Sequence, residues 1–387
     1  HVATLLAKVG QGDGDAVPTA MVERLMAVAG SMPDRHLLDS LVRSIGQPTG
    51  KGGSYASWQL AALAGLIEAR ERTRKTLALD LDASFSPVWA AARKLVRDDS
   101  ADGPSRLAAL RLLGHSAARN SSDRDLLIGM LRPQVPLDLQ QAAVAAVGGT
   151  ADSRVPDLLV HDWKKHSPQV RAAILDALLS RSAWTSSLLS SLEDGCVPPA
   201  EIDPARRQRL LTRRDASQRS RAEAVFAHTS KARQSVVDAY RPALARKGDR
   251  AAGAAVFKKL CASCHRLGNE GVEVGPDLAS LNDRSPEALL IAILDPNRAF
   301  ETRYAAFAIA TVDGRVLNGL IASESATAVT LRRQEGKEDV LLRSDIQEMS
   351  ASGQSLMPEG VEKDLKPADL ADLIAYIASV GPAKKAE

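Results

Sequence analysis

The sequence predicts a mainly α chain, with an N-terminal array of paired helices followed by a smaller helical domain carrying a β insert. Three observations predict it. The chain is rich in Ala, Leu and Arg, and aromatics make up 3% of its 387 residues, a composition suited to helices packed through small side chains. Ala pairs recur at a near-regular interval in the first half. Residues 304 to 349, by contrast, alternate apolar and polar with the period of two that marks half-buried strands.

Residues 1 to about 245 read as short helices punctuated by Gly, Pro, Asp and Ser. Within them, SRLAALRLLG from Ser105, LQQAAVAAVG from Leu139 and QVRAAILDALL from Gln169 resemble one another. Their Ala pairs, at 108, 142 and 172, are 34 and then 30 residues apart (142 minus 108, 172 minus 142). Each is followed by a second amphipathic stretch: DLLIGML (125 to 131), VPDLLVHDW (155 to 163) and WTSSLLSSL (184 to 192). Helix pairs at this interval resemble HEAT-type repeats, which stack into an α-solenoid because each pair buries its apolar face only against its neighbours. A non-repeating bundle stays open as the alternative, since the periodicity before residue 100 is loose. From Ala205 to Arg250 the composition turns basic, with seven arginines between Arg206 and Arg221. A solvated helix face and linker is the simpler expectation, and a docking surface for an acidic partner the sharper one. ARKGDR (245 to 250) marks a boundary, giving domains of 1–245 and 246–387.

In the second domain AAGAAVFKKL (251 to 260) is helical and runs into CASCH. PEALLIAILDP (286 to 296) is a helix with Pro in its first turn, ended by Asp-Pro. Strands follow as YAAFAIATV, RVLNGLIA, TAVTLRR and DVLLR, with Asp313-Gly314 as a hairpin turn between the first two. This insert, about 303–349, is expected to be small and barrel-like. SGQSLMPEG (352 to 360) reads as a loop, and KPADLADLIAYIASVG (366 to 381) as a closing amphipathic helix.

The chain has three cysteines. Cys196, in EDGCVPP, is expected to be a half-buried packing residue at a helix end. Cys261 and Cys264 precede His265, and three chemistries compete for that motif. A structural zinc site wants a second ligand pair, but the other six histidines all lie before residue 229. A thioredoxin-like pair would follow a strand, whereas this one ends a helix. The third chemistry is covalent attachment of one haem c. Thiols three residues apart reach two neighbouring vinyl groups, and the adjacent His becomes the proximal iron ligand. A proximal His needs an acceptor for its other ring nitrogen, and EVGPDL (273 to 278) follows at a distance suited to a loop folding back. For the opposite face of the iron, Met357 in SLMPEG stands on a loop just before the last helix, with Met349 as runner-up.

A helix into CxxCH, a GP loop, a middle helix, a Met-Pro loop and a terminal helix resemble class I cytochrome c. That resemblance implies that the Pro276 carbonyl accepts from His265 and that Met357 is the sixth ligand. More closely, LCASCHRLGNEGVEVGPDL, LLIAILDPNRAFETRYAAF and SLMPEGVEKDLKPADLADLIAYI resemble the haem-binding domain at the C-termini of large planctomycete and verrucomicrobial proteins. There the domain often follows HEAT-like repeats, which in turn often follow a sugar-dehydrogenase-like propeller. The likeness spans about residues 248 to 381. It departs from a minimal cytochrome c in the 92 residues between His265 and Met357 (357 minus 265), an excess the β insert accounts for.

The implied role is electron transfer, in which the chain accepts electrons from a dehydrogenase partner or upstream domain and passes them to another carrier. The chain is expected to be no enzyme by itself but a subunit or fragment of a larger oxidoreductase. A haem-based small-ligand sensor and a scaffold with an accessory haem remain as alternatives. The resemblance also implies the periplasm or an equivalent compartment. The first residues, HVATLLAKVGQGDG, carry no export signal, and with His at position 1 the chain reads as a processed or truncated piece. A net charge of +3 gives no case for nucleic acid, no apolar run approaches a membrane span, and no GxSxG, HExxH or glycine-rich phosphate loop occurs. His161 and His166 are expected at the surface. Asp295 and Arg298 are expected to structure a turn, Arg298 being a weaker candidate for a propionate.

Overall fold

The computed structural model describes residues 19–32, 35–49, 53–73, 85–117, 120–150, 152–229, 233–298 and 300–381. The opening residues, 1–18, lie outside them. The described residues are mostly helical, with sixteen α-helices and a small sheet. The chain divides into two compact units, His1–Leu159 and Val160–Glu387.

The first unit holds α1 (Thr19–Ser31), α2 (Arg35–Gly46), α3 (Ser57–Thr73), α4 (Ser86–Arg97), α5 (Gly103–Gly114), α6 (Ser121–Gly129) and α7 (Leu137–Gly148), and α8 (Val155–His161) begins at its end. Local chemistry starts these helices where the sequence does. Asp102 accepts from the Ser105 N–H ahead of α5, and Asn120 from the Ser122 N–H ahead of α6, each satisfying a donor that the helix leaves orphaned. Alternate helices pack together, α1 on α3, α3 on α5, and α5 on α7. Small residues set the closest approaches. A Cβ at Gly65 would stand 2.3 Å from the Glu23 carbonyl oxygen, and one at Gly114 2.9 Å from the Ala146 Cβ.

The second unit continues with α9 (Pro168–Leu179), α10 (Ser182–Glu193), α11 (Pro204–Leu211), α12 (Ala216–Thr229) and α13 (Gln234–Tyr240). The basic stretch is therefore helical, not a linker, and acidic neighbours take up much of its charge. Arg206 pairs with Asp176 and Asp203, Arg221 with Glu193, and the Arg207 guanidinium lies over the Phe226 ring. Two other expectations are corrected. Cys196 is exposed in the turn after α10, and His166 is buried ahead of α9, while His161 is exposed.

Next come α14 (Arg250–Leu260), the two-residue strands β1 (Arg266–Leu267) and β2 (Glu270–Gly271), and α15 (Pro286–Leu294). The sheet follows as β3 (Ala305–Thr311), β4 (Val316–Glu324), β5 (Ala328–Arg332), β6 (Glu338–Leu342) and β7 (Ile346–Ser355), and α16 (Pro367–Ser379) closes the fold. Helices α14 and α16 cross so closely that a Cβ at Gly253 would stand 2.1 Å from the Asp372 carbonyl oxygen. Around that crossing Phe257, Leu289, Leu290, Leu370, Leu373 and Ile377 form one core.

The sheet is antiparallel in the order β6-β5-β4-β3-β7. With β6 and β7 at opposite edges it is open, which corrects the barrel-like expectation. The stretch read as a loop from residue 352 begins instead as the end of β7, paired with β3 through two register shifts. IQEMSASGQS escaped recognition because its small polar residues carry little strand preference, so pairing with β3, not local propensity, makes it extended. Phe307, Ile309, Val329, Leu331 and Met349 form a second core, which includes Ala200 from the helical side. There the fully buried Arg171 guanidinium lies 5.1 Å from the Phe307 ring and 5.2 Å from that of Trp163. Glu201 accepts from both Arg171 (2.6 Å) and the Trp163 indole (2.9 Å). Removing one member of such a buried pair typically costs on the order of 3–5 kcal/mol, because it strands the other charge.

Candidate haem-attachment site

Helix α14 starts because Asp249 accepts from the Ala251 and Ala252 N–H groups, and it ends at Cys261. The Cys261 carbonyl then accepts from the Cys264 (3.0 Å) and His265 (2.8 Å) N–H groups, which curls CASCH into a single turn. The loop behind it folds back onto the same residues. The Cys264 carbonyl accepts from Val274 (3.0 Å) and Gly275 (2.7 Å), and the Ala262 carbonyl from Val272 (3.1 Å). Gly271 takes φ +81°, and a Cβ there would stand 2.1 Å from the His265 carbonyl oxygen. Arg266 ties the loop across to Asp277 at 2.9 Å.

His265 is half-buried against this loop, with Nδ1 2.9 Å from the Pro276 carbonyl oxygen. A carbonyl can only accept, so Nδ1 carries the proton and Nε2 keeps its lone pair. Burial pulls the imidazole pKa down and the Pro276 bond opposes part of that shift. The ring lies against Gly275, where a Cβ would stand 2.5 Å from Cε1. Cys261 and Cys264 form no disulfide. Burial, with a contribution from Cys264, pushes the Cys261 thiol up to about 12.

These residues fit a haem c. Two unbonded thiols stand three positions apart, the histidine presents an unprotonated Nε2, and glycine at 275 leaves the imidazole the space that any Cβ would take. The loop that carries Met357 is built differently. Met357 is half-buried, its N–H donating to the Ser355 hydroxyl at 3.2 Å. Long-range bonds hold its loop. Tyr304 accepts from the Leu356 N–H at 2.9 Å, Asn297 accepts from the Ser355 N–H at 2.8 Å, and the Asn297 amide donates to Glu359 at 2.7 Å. Arg233 pairs with Glu362 at 2.5 Å and donates to the Leu294 carbonyl at 2.7 Å. Met349, the runner-up, is 1% exposed in the sheet core. Arg298 is committed to the turn, donating to Asp295 and to Gln234, each at 2.9 Å.

The family model for cytochrome c matches residues 250–313. This stretch matches a cytochrome c domain. It spans the helix, the attachment turn, the Pro276 loop, α15 and the first strand of the sheet; Met357 lies beyond the matched residues. A cytochrome c domain implies a c-type haem, a haem-binding electron-transfer role and redox partners. No helix among the described residues is long and apolar enough to cross a membrane. No curated protein matches the chain. Among solved structures, an engineered protein from a structural genomics consortium is similar at 17% identity over 58% of this chain and 94% of that one, with a TM-score of 0.33, too weak a likeness to fix a fold.

Sequence reasoning missed Gly275, Asn297, Arg233 and the Arg266–Asp277 tie. Gly275 had a signal, the GP dipeptide beside the expected acceptor. Asn297 and Arg233 have none, because each acts across the fold, and the Arg266–Asp277 tie shows only once the loop between them has folded back.

Proposed function

We propose that the chain is a c-type cytochrome module that carries single electrons through one haem c. Cys261 and Cys264 would hold the macrocycle by thioether bonds, with His265 Nε2 and the Met357 thioether as the axial ligands. When bound, the haem supplies a reversible one-electron iron couple. Pro276 holds the Nδ1 proton, which fixes the tautomer and keeps the imidazole basic toward the metal. Gly275 leaves the imidazole its space, and Met357 would be the second ligand from this chain. A haem held by both residues would be suited to electron transfer over ligand activation, and a thioether ligand would raise its potential.

The observation that carries this reading is the 2.9 Å contact between His265 Nδ1 and Pro276 over Gly275. Around it we place the finer assignments. The domain is of the planctomycete and verrucomicrobial type, residues 246–387, with the sheet as its insert. Residues 1–245 form a HEAT-like solenoid that positions it on a redox partner, with a dehydrogenase as donor. The compartment is the periplasm or its equivalent, where haem c is attached, and the chain works as a subunit or fragment of a larger oxidoreductase. Optical spectra of the oxidised and reduced protein, with a pyridine haemochrome assay, test the assignment. A covalent c-type haem with the far-red band of Met-to-ferric-iron ligation is expected. Covalent haem that lacks this band and binds CO when ferrous would overturn Met357 and favour a sensor. No covalent haem, in a host that matures cytochromes c, would overturn the whole reading.

A further inference from the structure

The hairpin joining β5 to β6 lies in the insert, outside the stretch that matches cytochrome c, yet it touches the attachment motif itself. The Glu335 N–H donates to the carbonyl of Ser263, the residue between Ala262 and Cys264, at 2.9 Å. Beside it, Arg332 Nη1 donates to the Glu273 carbonyl at 2.8 Å. The Cβ position of Gly336 lies 3.9 Å from Val272. The hairpin thus reaches both limbs of the loop that encloses Cys264 and His265.

To make these contacts Glu335 adopts φ +64°, ψ +13°, the only positive φ of a non-glycine among the described residues. A left-handed backbone at such a residue persists only where the surroundings enforce it. The Glu335 side chain does not enforce it, since it is exposed and pairs with the equally exposed Lys337. The turn's own bonds, from the Arg333 N–H to the Lys337 carbonyl at 2.7 Å and from the Gly336 N–H to the Arg333 carbonyl at 3.2 Å, hold this backbone, and it aims the Glu335 N–H at Ser263.

We infer that the β5–β6 hairpin is a clasp on the haem-attachment loop, with Glu335 as a positioning residue that holds the two limbs of the loop together and so helps to set the potential of the haem. The inference rests on the haem c reading above. Ser263 itself stays exposed, so the clasp acts by holding the loop and not as a lid. It ties the limb between the two thiols to the limb that runs on to Gly275 and Pro276, which fix His265. A loop released from the clasp would let the imidazole tilt from its acceptor and let water in beside it, and water favours the more highly charged ferric form, so release lowers the potential.

The test uses the full-length holoprotein with Glu335→Pro and Glu335→Gly. Proline has no N–H and its ring cannot adopt φ +64°, so it breaks the clasp. Glycine keeps the N–H and adopts this φ freely, so it preserves it. Pyridine haemochrome on the parent protein first checks the attachment; a parent without covalent haem sinks the haem reading and not the clasp alone. With haem attached, Glu335→Pro should lower the midpoint potential and speed oxidation by ferricyanide several-fold, while Glu335→Gly matches the parent in both. Unchanged potential and rate in Glu335→Pro, or equal changes in both variants, would overturn the inference. Should Glu335→Pro fail to fold, Arg332→Gln carries the test, because it removes the Glu273 contact and leaves the hairpin backbone intact. The same shifts, smaller in size, would support the clasp, and parent-like values would overturn it.

Discussion

The His265 and Met357 faces of the proposed haem site are built on opposite principles. On the His265 face the bonds that fix the ring and its turn span few residues, from Cys261 to the His265 N–H or from His265 to Pro276, and the β5–β6 hairpin is the distant part that braces the loop from outside. On the Met357 face the bonds span tens of residues, 58 between Asn297 and Ser355 and 129 between Arg233 and Glu362. A locally built face keeps its geometry whenever its loop folds. A face assembled from distant parts depends on the sheet, on α15 and on α13 all being in place. Damage to the first should cost the haem itself, whereas damage to the second should cost only the sixth ligand.

The largest effect comes from removing the anchor. Cys261→Ala combined with Cys264→Ala is expected to abolish covalent haem altogether, with no haem stain surviving denaturing electrophoresis. Met357→Ala should separate the faces most cleanly. It keeps the covalent haem, loses the far-red band entirely, lowers the potential and lets the ferrous protein bind CO; retention of the band would point to another ligand. Gly275→Ala strikes the local face, since its Cβ would stand 2.5 Å from the imidazole. Overpacking of this kind costs about 1–3 kcal/mol, so correctly ligated haem should fall roughly 5–150-fold relative to misligated forms, measured as the ratio of low-spin to high-spin spectra. The mildest is Asn297→Ala, which removes two bonds to the Met loop, a loss of about 2 kcal/mol. The Met-dissociated fraction should rise ~30-fold, visible as faster cyanide binding to the ferric protein with haem content unchanged. Equal loss of haem from Gly275→Ala and Asn297→Ala would erase the distinction between the faces.

What the sequence disclosed follows the same division. CASCH, the GP dipeptide and the helices that became α14, α15 and α16 were readable because the signals are short-range: Ser285 before Pro286 starts α15, and Leu370, Leu373, Ile374 and Ile377 recur at helical spacing. The Asp-Gly turn was readable for the same reason, with Gly314 at φ +85°. The last strand was not, because IQEMSASGQS becomes extended only through its pairing with β3. Nor was the burial of His166, nor the way the arginines of α11 and α12 spend their charge on Asp176, Asp203 and Glu193, since each depends on residues that the fold brings from elsewhere. Asn297 looks like an ordinary turn residue until Ser355 is seen beside it.

The contact between Glu335 and Ser263 also imposes an order in time. The hairpin lies 72 residues beyond Ser263 (335 minus 263) and takes shape only when β5 and β6 pair, whereas the attachment turn is curled by bonds among its own residues. Until that pairing forms, the turn stands free of the hairpin and open to covalent chemistry. Once the sheet has folded, the same turn is braced. The insert therefore divides the life of the site into a stage of assembly and a stage of use.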